Sequence, residues 1–248
     1  MKSCLFLIVV AATQLLPVSG HCACFQPQPR LVCGEYFDSE LIVEATLAQI
    51  GGVRDPDYAP AYLSYDYTLQ VDKPLLGKSG ATIHVFEGND TSRAGFSWVK
   101  GRKYLLFLSY SDEVKALMLD GCGNSGPLRK AGKALAQIAA IQEAQKTAVQ
   151  TSHSSGWIRG ELNDQSEGIR IVAVGSAGVF STESGKHGIF NINVPVGQFT
   201  LHAVDPDGVF KYTKYELSYA DPNNIHIVAG SCAQVEFVQT DANSSPPK

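Results

Sequence analysis

The sequence predicts a mainly β protein in two parts: a five-stranded barrel ending in a helix, then a β-sandwich of about seven strands. Three observations carry this. Short apolar runs recur through both halves, separated by segments rich in Gly, Pro, Asp and Ser. The pattern changes once, at residues 126–150, to a stretch rich in Ala, Gln, Lys and Leu with helical spacing. The small polar run "TSHSSG", residues 151–156, then reads as a linker between two domains, 21–150 and 157–240.

Residues 1–20 come first. Lys2 is a positive start, "CLFLIVVAA" and "TQLLPV" form an apolar region, and "VSG" places Val18 and Gly20 at the cleavage-determining positions. This reads as a secretory signal peptide cut after Gly20. Its unbroken apolar run is shorter than the roughly 20 residues of a membrane span. The expected location is therefore secreted, periplasmic or cell-surface, with no membrane span in the mature chain.

In the first half, "ELIVEATLAQI", "AYLSYDYTLQV", "ATIHVFEG", "RKYLLFLSYS" and "KALMLDGC" read as strands. The second alternates Tyr and Leu with polar residues most clearly. Within 126–150, Leu135, Ile138, Ile141 and Ala144 recur at helical spacing, and Pro127 suits the helix entry. Five short strands and a terminal helix fit a small closed barrel of the OB type. In the second half, short strands run from "GWIRGEL" to "AQVEFVQ", with starts about 8–12 residues apart, as in a β-sandwich. "DPDG", Asp205–Gly208, reads as a turn with Pro second and Gly fourth rather than a calcium loop. The tail 241–248 reads as disordered.

The formal charge of −4 argues against a nucleic-acid partner. No Gly-x-Ser-x-Gly elbow, His-Glu-x-x-His or glycine-rich phosphate loop is present, so the chain reads as non-enzymatic and without a cofactor. His84, His202 and His226 fall within expected strands and read as structural, and no Asp or Glu gathers near a His with metal-ligand spacing. The sequons at Asn89 and Asn243 are too common by chance to inform. Removal of residues 1–20 takes Cys4 and leaves Cys22, Cys24, Cys33, Cys122 and Cys232, an odd number in an oxidising compartment.

The segments "CACFQPQPRLVC", "ELIVEATLAQI", "YDYTLQVDKPLLGKSG", "GRKYLLFLS" and "LDGCGNSGPL" together resemble the netrin-like module, the inhibitory domain of tissue inhibitors of metalloproteinases. That resemblance implies an OB-type barrel over roughly residues 22–147. The second half is similar to carboxypeptidase regulatory-like (transthyretin-type) sandwiches through Thr182–Gly188, Phe190, Pro195, Gly197 and Phe199. The first resemblance implies that Cys22, Ala23, Cys24 and Phe25 form an inhibitory wedge whose first cysteine chelates a protease's zinc. Here His21 precedes Cys22, Ala23 offers the specificity pocket little area, and Ala94 stands where the family has the partner of Cys22.

By the same resemblance Cys24 pairs with Cys122. Two arrangements stay open for the others: a Cys22–Cys33 pair, which is preferred and leaves Cys232 free, or a Cys33–Cys232 staple between the domains. The expected function is a secreted, non-catalytic binding or scaffold protein. The alternative is a metalloprotease inhibitor acting through the Cys-x-Cys segment, with an extracellular metalloprotease as partner.

Overall fold

A computed structural model describes residues 30–54, 62–89, 94–150, 155–215 and 219–241. The expected signal peptide, His21, Cys22, Ala23, Cys24, Phe25, His153 and Asn243 lie outside the described residues. The fold is mainly β, with a nearly closed barrel followed by a second sheet.

The first half contains α1 (Val32–Asp38), β1 (Leu41–Arg54), β2 (Tyr62–Leu76), β3 (Thr82–Gly88), β4 (Lys103–Ser111), β5 (Ala116–Leu119), β6 (Gly126–Pro127) and α2 (Gly132–Gln150). The strands run in the order β1-β2-β3-β5-β4, and β4 returns to β1. That closing pairing is antiparallel, from Leu41 opposite Leu108 to Thr46 opposite Lys103. Alternate residues point inward, so Leu41, Val43, Ala45, Leu47, Tyr67 and Leu69 share one core. The other face of β1 and β4 is buried as well: Ile42, Leu105 and Phe107 lie under α1 and α2 with Ile138 and Ile141. This explains why "YLLFL" in β4 is an unbroken apolar run. Each of the two α2 isoleucines contributes about 1.5–3 kcal/mol by burial.

Three local features differ from expectation. The short α1 was not expected from the sequence. Pro127 does not enter the helix; its extended backbone belongs to β6, opposite Tyr104, and a 3-10 turn at Leu128–Lys130 precedes α2. The first connection is also shorter than expected, because "GGVR" continues β1 to Arg54.

The second half contains β7 (Ser155–Leu162), β8 (Arg170–Gly175), β9 (Gly178–Glu183), β10 (Ile189–Pro195), β11 (Gly197–Val204), β12 (Phe210–Lys214), β13 (Ile225–Ile227) and β14 (Cys232–Asp241). These eight strands form one sheet, ordered β10-β7-β14-β12-β11-β8-β9, with β13 on β11. Ser155 and Gly156, expected in the linker, open β7, and Asp241, expected in the tail, closes β14. The inward residues, among them Ile158, Ile171, Phe190, Phe199, Leu201 and Val235, form a single core. Gly160 is dictated by that packing: a Cβ there would meet Val235 O at 2.0 Å and the Phe190 ring at 2.4 Å.

"DPDG" is the expected turn. Gly208 N donates to Asp205 O (3.1 Å) and has φ 67°. The Asp205 carboxylate accepts from the backbone N–H of Asp207, Val209 and Phe210, and these bonds, Phe210's first, hold its carboxyl below the ordinary range. Both oxygens are thus spent on the backbone. His84, His202 and His226 sit on β3, β11 and β13 with exposed side chains.

The cysteine pairing requires a correction. Cys33, in α1, is bonded to Cys232 at the start of β14, with Cα atoms 5.4 Å apart across 199 positions of sequence. The preferred Cys22–Cys33 pair and a free Cys232 are both overturned in favour of the staple. The reason is the placement of α1, which packs outside the barrel directly against the first residues of β14; a Cβ on Gly34 would lie 3.7 Å from Cys232 O. Leu31 N also donates to Gln234 Oε1 (2.9 Å) across the same junction.

Candidate functional site

The staple places α1 beside the loop that carries Cys122 and the first turn of α2. Together they surround an open cleft of about 550 Å3. Its wall includes Phe96, Asn124 and Pro127, with Lys130 and Lys133 at the rim. The far wall depends on the barrel's end, where Trp98 stacks on Tyr67 with ring centres 4.4 Å apart and touches Phe96 and Tyr104 at 5.0 and 4.8 Å. Glu87, buried beneath, accepts from Tyr67 Oη (2.6 Å) and from Ala94 N (2.6 Å), so the 94–98 segment is fixed at both ends.

Arg30 organises the near wall. Its Nη1 donates to Asp120 Oδ2 (2.9 Å) and its Nη2 pairs with Asp38. The guanidinium also lies 4.8 Å from the centre of the Tyr219 ring, a cation–π contact that reaches the second half of the chain. Burial alone would lower the Arg30 guanidinium, but Glu35, Asp38 and Asp120 outweigh it and hold it above its usual value. Burial pushes the Tyr219 phenol up to about 12, reinforced by Asp120.

Glu35 lies one turn along α1 and is only 2% exposed. Its Oε2 accepts from Asn124 N (2.6 Å) and Asn124 Nδ2 (2.7 Å). Asn124 Nδ2 donates as well to Arg30 O (2.8 Å). Glu35 Oε1 is buried with no hydrogen-bond partner. It presses on Gly123: a Cβ at that position would sit 2.0 Å from Oε1, so a larger residue there would have to push the carboxylate aside. Burial pushes the Glu35 carboxyl up to about 7, against the opposing pull of the Asn124 hydrogen bonds and Arg30. The carboxylate is sealed behind Gly123 rather than presented to the cleft.

The loop itself is tied down at several points. Asp120 Oδ1 accepts from Cys122 N (2.8 Å), and Ser125 Oγ accepts from Phe107 N (2.9 Å). Cys122 is disulfide-bonded, and its expected partner Cys24 lies outside the described residues. Ala94 sits beside this loop: a Cβ on the adjacent Gly95 would lie 3.6 Å from Gly121 O. The structure therefore brings the Ala94 and Cys122 segments together while sending Cys33 and Cys232 to the junction behind them.

Sequence reasoning missed Arg30, Glu35, Asp120 and Asn124. The available signal was the glycines around two cysteines, Gly34 after Cys33 and Gly121 and Gly123 around Cys122, which mark close backbone approach. Chemically, Arg30, Asp38 and Asp120 are spent on one another and Asp120 on the backbone as well, which fixes the shape of the cleft, while Lys130 and Lys133 stand exposed on its lining. Among the described residues, no three His, Cys, Asp or Glu side chains are placed to hold a metal ion. No helix of the described residues is long and apolar enough to cross a membrane. No protein-family model matches the sequence, and no curated protein matches it.

Proposed function

We propose that the chain is an exported, non-catalytic binding or scaffold protein built from two β units. The observation that carries this reading is the junction. The Cys33–Cys232 bond, the Leu31–Gln234 hydrogen bond and the Arg30–Tyr219 contact join the barrel to the second sheet and hold the cleft between fixed walls. Bonds of this kind persist in oxidising compartments, which supports export. A preorganised surface of this sort binds without paying to order itself. The test is cross-linking of the purified exported protein to extracellular material, run beside hydrolase and transferase assays. Specific cross-links without turnover support the reading; turnover abolished by substitution of one named side chain overturns it.

A second reading, metalloprotease inhibition by the Cys-x-Cys segment, is favoured by one observation: Cys122 is disulfide-bonded in a loop adjoining the Ala94 segment. Inhibition of a metalloprotease by protein with a verified mature N-terminus supports it. No inhibition across a metalloprotease panel removes it.

A further inference from the structure

The outer face of β7 and β10 differs from the rest of the second sheet. Side chains on these strands alternate between core and solvent, and the outward row of β7 is Ser155, Trp157, Arg159 and Glu161. Opposite it on the edge strand β10 stand Pro195, Asn193, Asn191 and Ile189, in that register. Trp157 is 42% exposed, an unusual position for an indole. Asn193 stands directly across from it, with Arg159 and Asn191 next along the two strands, and none of the three makes a side-chain hydrogen bond or ion pair among the described residues. One exposed indole is thus set among polar groups whose hydrogen-bonding capacity is unused.

The face is also bounded. On its inner side, β14 runs parallel to β7 with Cys232 opposite Trp157 and Gln234 opposite Arg159. Those two residues are engaged by α1 through the disulfide and the Leu31 hydrogen bond. On its outer side, β10 is the edge of the sheet. The result is a shelf two strands wide, bounded by α1 and its disulfide on one side and by the open sheet edge on the other.

We propose that this shelf binds a neutral glycan, with a pyranose ring stacked on Trp157 and its hydroxyls bonded by Asn191, Asn193 and Arg159. The C–H-rich face of a sugar suits the negative face of an indole. Each asparagine amide both donates and accepts, as a hydroxyl pair requires, and a guanidinium adds several donors. Charge selects against anions: Arg159 is followed in its row by Glu161, with Glu236 beside it on β14. Nucleic acid is disfavoured by the same carboxylates and by the chain's formal charge of −4. A protein partner needs an apolar centre, and this face offers Trp157 with only Ile189 and Pro195 at its far corners. An open edge lets a polymer run past the strand.

This inference rests on the reading of the chain as a binding protein and adds a ligand class to it. The test uses the full exported chain in affinity electrophoresis through gels containing xylan, laminarin or hydroxyethyl cellulose. NMR titration with cellohexaose, chitohexaose and maltohexaose accompanies it. Retardation or saturable shifts with at least one glycan are expected. Trp157→Ala should weaken binding about tenfold or more, Asn193→Ala should weaken it about threefold to tenfold, and Trp157→Phe should retain part of it. Both positions are exposed, so far-ultraviolet circular dichroism and melting temperature should stay at wild-type values. The inference is overturned by no binding to any of these probes, by binding that Trp157→Ala leaves intact in a folded variant, or by a protein ligand captured through Trp157 in place of a glycan. Such failures leave the non-catalytic reading standing. Cleavage of a bound glycan overturns that reading and leaves the site.

Discussion

Glu35→Gln offers the sharpest test of the site's electrostatics. Burial raises the Glu35 carboxyl from 4.5 to about 7, so the folded protein holds its proton more tightly than the unfolded chain does. Stability from this group is fully present below pH 4.5 and is lost as pH rises through about 7. The gap corresponds to about 3 kcal/mol, on the relation of roughly 1.4 kcal/mol per pH unit. Glutamine keeps an oxygen for Asn124 and removes the charge beside Gly123. The variant should therefore match the wild type near pH 4.5 and exceed it by up to about 3 kcal/mol above pH 7.5, less whatever Arg30 loses. The assay is urea unfolding of both proteins, disulfides intact, at steps from pH 4 to pH 8. Taking the difference cancels every other group that titrates in this range. A difference that stays flat across the window, or that favours the wild type as pH rises, refutes the reasoning. A carbon-13 titration of the Glu35 carboxyl provides the direct check: an ordinary midpoint near 4.5 has the same meaning.

The other expectations follow from packing and covalent structure. Gly123→Ala forces a methyl into Glu35 Oε1 and should destabilise by about 1–3 kcal/mol, read from thermal melts; an unchanged melting temperature contradicts the packing described. Cys33→Ser with Cys232→Ser removes a bond spanning 199 positions and should cost about 2–5 kcal/mol. In calorimetry the barrel and the second sheet of that double variant should melt as separate transitions, whereas one shared transition would show that noncovalent contacts suffice. Trp98→Ala removes the centre of the aromatic cluster and should cost about 3 kcal/mol, with loss of the near-ultraviolet signal; retention of that signal would place the cluster elsewhere.

Much of the fold is legible in the residues because its strands bury one face. Tyr67 and Leu69 in "YDYTLQV" are buried and their neighbours are not, and Ile138 and Ile141 in the helix follow the same logic with a different period. The helix α1 is not legible. "VCGEYFD" is short and contains glycine and poor helix formers, so its conformation comes from the tertiary contacts of Val32, Cys33 and Tyr36. The site depends on that helix, which is why it stayed hidden. A buried, half-partnered carboxylate such as Glu35 has no sequence signature, since its burial is decided by residues such as Asn124 that meet it only in the folded chain. Disulfide connectivity has the same character: a set of spacings permits several pairings, and only the position of α1 against β14 selects Cys232 for Cys33.

That selection has a consequence for the order of events in a cell. A chain threaded through a membrane from its N-terminus delivers Cys22, Cys24 and Cys33 together first, Cys122 next and Cys232 last, with most of the second sheet between the final two. An oxidase that joins thiols as they arrive will offer Cys33 the wrong partners before the right one emerges. The native bond then requires either that Cys33 stay reduced against the outside of the barrel until β14 emerges or that a disulfide isomerase reshuffle it. The yield of correctly assembled protein should accordingly depend on isomerase supply far more than that of a protein whose cysteines pair consecutively.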